Sequence, residues 1–124
     1  MSAINSENPL SNNIKPQTIT IDDPKELYRC FMPFIKGGGL FIPFNQDVTP
    51  EKISPGQKIF VIFTILKNTK KIPIPGVVIW IQPFGKLMGY GIQFPDNPAM
   101  KSLVENIKEI TMEFSNRREP TYTL

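Results

Sequence analysis

Histidine is absent from this chain of 124 residues, and cysteine occurs once, as Cys30. Without histidine, the chain lacks the commonest general acid–base group and the commonest metal ligand. A single cysteine forms neither an intrachain disulfide nor a zinc cluster, and Cys30 has no histidine to activate it as a nucleophile. We therefore expect no catalysis, no metal and no other cofactor, with Cys30 as a buried structural thiol.

Long apolar runs are missing as well. No stretch approaches the ~20 residues of a membrane span, and the N-terminus lacks the basic start and apolar core of a secretory signal. Together with the absence of disulfides, this predicts a cytoplasmic protein with no direct membrane insertion.

Neither sign of charge dominates strongly. The chain has 14 basic and 11 acidic residues and a net charge of +3. The basic residues are spread out, apart from Lys67, Lys70 and Lys71 in one predicted loop and Arg117 and Arg118 near the end. A nucleic-acid-binding protein usually concentrates its charge in a stripe. We therefore expect solvated lysines and no nucleic-acid partner, although a small nucleic-acid-binding barrel remains an alternative.

Proline, by contrast, is abundant. Thirteen prolines punctuate the chain, about twice the usual share. This pattern is typical of short strands joined by turns rather than of a helical bundle. The length predicts one domain, for which we expect a monomer.

The most conspicuous local pattern is P-F-I-K-G-G-G-L-F-I-P, residues 33–43, with three consecutive glycines, Gly37, Gly38 and Gly39. Glycine takes positive φ and lets another backbone approach closely. One interpretation is a phosphate-binding cradle; the other is a sharp turn or close crossing that precedes a strand. Neither standard phosphate motif, G-x-x-x-x-G-K-[ST] or G-x-G-x-x-G, is present, so the spacing favours the turn.

Hydrophobic periodicity divides the rest of the chain. β-Prone or alternating runs predict strands at residues 18–21, 40–42, 58–66, 77–82 and 88–94. Asp23 and Asn97 precede prolines and predict the N-caps of a short early helix and of a C-terminal helix of about four turns. Glycines along one face of the last strand predict a barrel corner or close packing of another element. We expect a flexible tail at residues 1–15, the folded domain at residues 16–116 and a C-terminal tail at residues 117–124.

Four segments taken together resemble one family. They are M-P-F-I-K-G-G-G-L-F-I-P, then I-P-I-P-G-V-V-I-W, then G-I-Q-F before the terminal helix, and finally R-E-P-T-Y-T-L. In order and spacing they are similar to the PilZ-type type IV pilus assembly proteins, over roughly residues 18–124. The resemblance implies a mainly β fold, a small six-stranded antiparallel β-barrel with a C-terminal α-helix.

Many PilZ domains bind cyclic di-GMP through an R-x-x-x-R motif and a [D/N]-x-S-x-x-G motif. If Gly39 is the motif glycine, Phe34 stands where Asp or Asn belongs and Lys36 where Ser belongs. Arg29 is the sole arginine before residue 117, so the arginine pair that would grip the phosphates is missing. We therefore predict that the chain does not bind cyclic di-GMP at the usual site; an atypical site using Lys36 and Arg29 is the alternative.

The resemblance implies a non-enzymatic adaptor for type IV pilus assembly and twitching motility. Such proteins contact the cytoplasmic pilus extension ATPase and, in some bacteria, a degenerate GGDEF–EAL protein of cyclic di-GMP signalling. Aromatic side chains with one polar group often anchor protein interfaces. The interface we predict consists of Tyr28, Met32, Phe34, Trp80, Pro120, Thr121 and Tyr122. A core position for Trp80 and a disordered tail are the competing interpretations.

Overall fold

Five strands and two helices follow one another in the computed structural model, which describes residues 14–67 and 70–123. The elements are β1 (Gln17–Ile21), α1 (Pro24–Cys30), β2 (Gly39–Pro43), β3 (Lys58–Ile65), β4 (Ile72–Gln82), β5 (Gly89–Gln93) and α2 (Pro98–Asn116). A single 3-10 turn, Pro50–Lys52, lies between β2 and β3. Most of the tail predicted at residues 1–15 lies outside the described residues, while Ile14 packs against the core.

The five strands form one sheet in the order β1-β3-β4-β5-β2. Strand β1 runs parallel to β3, and the other neighbours are antiparallel. The described residues therefore form a curled half-barrel of five strands, whereas we expected six antiparallel strands and a closed barrel. Helix α1 contacts both edge strands, β1 and β2, at the open side.

The segment between β2 and β3 contains a 3-10 turn but no strand. Pro50 and Pro55 interrupt it, and proline has no N–H for a strand ladder. The segment instead crosses the sheet as a loop that buries Val48 and Ile53 in the core. It supplies apolar side chains without forming another strand.

Strand β4 joins the two halves of the sheet. Its first residues pair with β3, from Ile72 opposite Phe63 to Val77 opposite Lys58, and its last residues, from Val77 on, pair with β5. The strand prolines, Pro73 and Pro75, thus lie where β4 has only one neighbour, a position that tolerates a residue without an N–H donor. A register shift between Val78 and Trp80 bends the strand, which is typical of a β-bulge.

Helix α2 covers the inner face of the sheet. Met100, Leu103 and Ile107 are buried in the same cluster as Phe63 and Ile92 of the strands. The side chain of Asn97 caps the helix by accepting a hydrogen bond from Met100 N at 2.9 Å. With 19 residues, α2 has about five turns, one more than we predicted.

The outer face carries a second, smaller buried cluster over β2 and β5. Phe41 lies across Gly89, where an added Cβ would be 2.6 Å from its ring. The methyl group of Met32 would lie 3.0 Å from a Cβ at Gly91. The glycines of β5 therefore allow close packing of these side chains, one of the two alternatives that the sequence predicted.

Candidate protein-binding site

The triple glycine forms a tight turn between Met32 and β2. Gly37 and Gly38 both have positive φ, and Gly38 N donates to Ile35 O at 2.8 Å. A Cβ at Gly38 would lie 2.7 Å from Val104 of α2, and one at Gly39 would lie 2.5 Å from the carbonyl oxygen of Ile92. These contacts confirm the interpretation as a turn and close crossing.

Phe34 and Trp80 form an aromatic pair beside this turn. Their ring centroids are 6.5 Å apart and their planes differ by 25°, a stacked arrangement. Trp80 lies opposite Gly91 in the sheet register, on the outer face, and is half-buried. Phe34 is 48% exposed. The pair therefore presents apolar aromatic surface to solvent.

Met32 lies beneath this region. It is completely buried, and its methyl group fits between the positions of Gly39 and Gly91. Met32 therefore has no exposed surface for a partner. It holds the start of the turn against the sheet.

The C-terminal tail docks on α1 through two reciprocal tyrosine contacts. Tyr28 of α1 donates from its hydroxyl to the carbonyl oxygen of Glu119 at 2.6 Å. Tyr122 of the tail donates from its hydroxyl to both carboxylate oxygens of Glu26, at 2.7 and 2.9 Å. The amide of Tyr122 also donates to the carbonyl oxygen of Arg29 at 3.0 Å. The described part of the tail is thus ordered against its own chain.

Ring contacts support the same docking. Tyr122 lies against Phe41 at 6.0 Å between centroids, and Tyr28 lies against Phe114 at 5.9 Å. The guanidinium carbon of Arg117 lies 5.4 Å from the centroid of the Phe114 ring. These contacts extend the outer-face cluster over the C-terminus of α2.

Burial controls the chemistry of Cys30. Its Sγ donates weakly to Glu26 at 3.8 Å. Burial, reinforced by the negative charge of Glu26, raises the pKa of the thiol to about 12. Desolvation, with the same carboxylate as hydrogen-bond acceptor, also raises the pKa of the Tyr122 hydroxyl. Cys30 thus stays protonated near neutral pH, consistent with the predicted structural thiol rather than a nucleophile.

A groove of about 370 Å³ opens between α2 on one side and α1 with the tail on the other. Its lining residues are Tyr28, Phe31, Pro33, Lys108, Thr111, Met112, Ser115 and Thr121. Two predicted interface residues, Tyr28 and Thr121, therefore lie in one cavity. Pro33 also lines this cavity and directly precedes Phe34 in the turn. Pro120 is exposed just outside the groove.

Sequence reasoning missed several members of this site. Met112 is 54% exposed at the groove edge, and Phe114 supports Tyr28. Glu26 and Glu119 supply the oxygens that hold the two tyrosines. The helical spacing of α2 could have identified Met112, an apolar residue on the polar face. Nothing in the local pattern identifies Glu119, because it accepts the hydrogen bond from Tyr28 through its backbone carbonyl oxygen.

Arg29 and Lys36, the two basic residues of the alternative nucleotide site, have different surroundings. Arg29 forms an ion pair with Glu26 at 3.6 Å. Lys36 is exposed, and its carbonyl oxygen accepts a hydrogen bond from Gln93 at 2.8 Å.

Across residues 14–67 and 70–123, no group of three His, Cys, Asp or Glu side chains could hold a metal ion.

Comparison with known proteins finds one family. A family model described as the PilZ domain matches residues 15–113, most of the chain. No curated protein matches the chain. Among the described residues, neither helix combines the length and apolar character that crossing a membrane requires.

Proposed function

Because the chain belongs to the PilZ domain family, we propose that it is a non-enzymatic adaptor for type IV pilus assembly. Membership indicates a cyclic di-GMP-related adaptor or receptor. Specifically, the chain binds the pilus extension ATPase in the cytoplasm and, where the bacterium has one, a degenerate GGDEF–EAL protein. It does not itself bind cyclic di-GMP.

The observation that carries this proposal is the chemistry at Phe34. If Gly39 is the motif glycine, members of the family that bind cyclic di-GMP carry Asp or Asn at this position, a short polar side chain that satisfies the base. Here an aromatic ring stacks on Trp80 and leaves 48% of its surface exposed. A polar nucleotide with two phosphates would gain little from this surface and would leave its own polar groups unpaired. A protein partner would bury it favourably.

Charge at the turn supports the same conclusion. The one arginine available, Arg29, forms its ion pair with Glu26 on α1. That leaves Lys36 as a point charge, without the arginine fork that recognises phosphate or the guanine edge. Both features support the proposal that the chain does not bind cyclic di-GMP at the usual site.

The proposed interface consists of the aromatic pair and the neighbouring groove. The pair supplies Phe34 and Trp80 as anchors, and Pro33 connects it to the groove lined by Tyr28 and Thr121. Pro120 and Tyr122 lie at its rim on the docked tail. Met32 supports the pair from below without contacting the partner.

Binding of the purified ATPase by calorimetry would test the adaptor proposal. Phe34→Ala and Trp80→Ala should each weaken binding by about 2 kcal/mol or more, roughly 30-fold, because anchors of an interface contribute at this scale. Phe84→Ala is the matched control, since Phe84 is 82% exposed in the turn after β4 and is not part of the proposed interface. Equal losses for Phe34 and Phe84, or no binding by the wild type, would contradict the proposed site.

A titration with cyclic di-GMP separates the adaptor from a receptor. We expect no heat of binding with the wild-type protein. A complex tighter than roughly micromolar that Lys36→Ala or Arg29→Ala abolishes would instead support a receptor with an atypical site.

A further inference from the structure

The groove between α1, the tail and α2 offers mostly apolar surface, although several of its lining residues are polar by type. Tyr28 donates its hydroxyl to a carbonyl oxygen of the tail at 2.6 Å, and Thr111 donates its hydroxyl to a carbonyl oxygen of its own helix at 2.7 Å. The hydroxyl of Thr121 accepts a hydrogen bond from the amide of Thr123 at 3.3 Å. Because these polar groups already have partners, the residues offer a ligand mainly ring and methyl surface.

Lys108 is the one charged residue among those that line the groove. It is exposed, and it forms no ion pair with any residue in the described part of the chain. Glu105 and Glu109 lie within one turn of it on α2, but neither lines the groove. An unpaired ammonium group beside apolar surface favours a ligand that places a carboxylate there.

The carboxylates of the elements that face Lys108 across the groove already have cationic partners. Glu119 of the tail lies 3.9 Å from Lys25 and 3.5 Å from Arg117. Glu26 of α1 lies 3.6 Å from Arg29. Neither carboxylate is therefore free to neutralise Lys108.

The groove has the size of a short helical ligand. Its lining on α2 runs from Lys108 to Ser115, which is two turns or about 10 Å. Its volume of about 370 Å³ is more than twice the ~150 Å³ that accommodates a benzene ring, so about two large apolar side chains fit. None of its lining residues belongs to β1–β5, so an extended peptide would find no strand edge for its backbone groups. A helix satisfies its own backbone groups and needs no such edge.

We propose that the groove binds a short amphipathic helix of the pilus extension ATPase, with two apolar side chains on one face and an aspartate or glutamate beside them. The apolar side chains, three or four residues apart, lie against Phe31 and Met112. The carboxylate pairs with Lys108. This inference rests on the proposed adaptor function and adds the chemistry by which the chain selects its contact segment.

The same composition disfavours a nucleotide as the occupant of the groove. Cyclic di-GMP carries two phosphates, and Lys108 is a single point charge without the fork of an arginine. The polar edges of the bases would face apolar surface and would stay unpaired.

Calorimetry of the full chain with the purified ATPase tests the charged part of the proposal. Lys108→Glu should weaken binding about tenfold, because it replaces an attraction by a repulsion. Lys101→Glu is the matched control, since Lys101 is also exposed on α2, two turns earlier, and lies outside the groove. We expect the control to leave the affinity within about twofold of the wild type.

A second pair of variants tests the apolar part. Met112→Ser should weaken ATPase binding about fivefold, because it removes apolar surface that the helix would bury. Met88→Ser is its control, since the two methionines are 54% and 49% exposed and Met88 lies outside the groove. All four substituted side chains are exposed, so each variant should keep the wild-type urea unfolding curve.

Peptides of about 15 residues, or four turns of helix, that overlap along the ATPase sequence locate the contact segment. Peptides that bind the wild type but not Lys108→Glu should carry the predicted apolar pair and adjacent acid. Exchanging that acid for lysine in the full-length ATPase should weaken binding to the wild type and restore about tenfold in affinity for Lys108→Glu. A purely structural role of Lys108 would not give this reciprocal rescue.

Three results would overturn the inference, and they separate it from the adaptor function. If Phe34→Ala weakens ATPase binding but Lys108→Glu and Met112→Ser do not, the adaptor function stands and the groove is not its helix site. If the wild type does not bind the ATPase, the adaptor function fails and the inference fails with it. A dimer in sedimentation equilibrium that Lys108→Glu and Met112→Ser both abolish would assign the groove to a second copy of the chain.

Discussion

The tyrosines of the docked tail and the aromatic pair at the glycine turn use their surfaces in opposite ways. Tyr28 and Tyr122 direct both hydroxyl groups to acceptors on their own chain, Glu119 and Glu26. Phe34 stacks on Trp80 but keeps nearly half of its surface exposed. The first group stabilises the fold of the free protein, and the second has apolar surface left for a partner.

This difference teaches how an interface residue can be distinguished from a structural one of the same type. Aromatic residues are frequent both in cores and in interfaces, so residue type does not separate the two. The decisive property is whether the polar group and the ring are already satisfied within the chain. Substitutions at the turn and at the tail should therefore separate stability from binding, and the following experiments test that separation in order of expected effect.

The largest effect is expected at the turn that carries Phe34. Gly39→Ala would place a methyl group 2.5 Å from the carbonyl oxygen of Ile92, a backbone atom that cannot move without breaking the β2–β5 pairing. We expect the free energy of unfolding to fall by about 2–3 kcal/mol, measured by urea denaturation.

The neighbouring glycine is the control. Gly37→Ala has room, with Phe94 O at 3.6 Å, but takes φ +80°, so we expect a loss of about 1 kcal/mol. If Gly37→Ala costs as much as Gly39→Ala, backbone conformation and not close packing explains the triple glycine.

The next prediction concerns the pH dependence of stability through Cys30, which lies on α1, where the tail docks. The thiol of Cys30 has an ordinary pKa of 9.0, and burial raises it to about 12 in the folded protein. Between these values the unfolded chain loses a proton that the folded chain keeps, so stability is full below pH 9 and falls as pH rises toward 12. Raising pH from 8 to 10 should cost about 1.4 kcal/mol through this group. The raised pKa of Tyr122 acts in the same direction above about pH 10.

Cys30→Ala isolates the contribution of the thiol. At pH 8 the variant will be less stable because it loses buried volume, so the quantity to compare is the change between pH 8 and pH 10. That change should be smaller in the variant than in the wild type. An equal change in both proteins would assign the alkaline sensitivity to other groups, such as Tyr122.

Much of the fold could be predicted because its signals are local. The caps at Asp23 and Asn97 and the strand at Leu40 follow from the chemistry of a few adjacent residues. The parallel pairing of β1 with β3 was not predictable in this way, since it joins segments about 40 residues apart. The sixth strand was implied by the family resemblance alone, and the local patterns had indicated five strands.

The sequence predicted the types of residue in the site but not which of them lie together. The turn pattern identified Phe34, and residue type identified Tyr28, Trp80 and Tyr122. Only the packing shows that Met32 lies beneath the sheet surface and that the tail docks on α1.

The smallest effects test the comparison most directly. Tyr122→Phe removes the hydrogen bond to the Glu26 carboxylate but keeps the ring against Phe41, and we expect the free energy of unfolding to fall by about 1 kcal/mol. Phe34→Ala removes one exposed stacked ring, and its cost should be only about 0.5 kcal/mol. For partner binding the order should reverse, with a large loss for Phe34→Ala and a small one for Tyr122→Phe. Urea denaturation and ATPase calorimetry on the same two proteins measure both quantities. If both variants rank in the same order in the two assays, the tail and the turn do not have separate roles. The distinction between satisfied and available aromatic surface would then have no functional consequence in this protein.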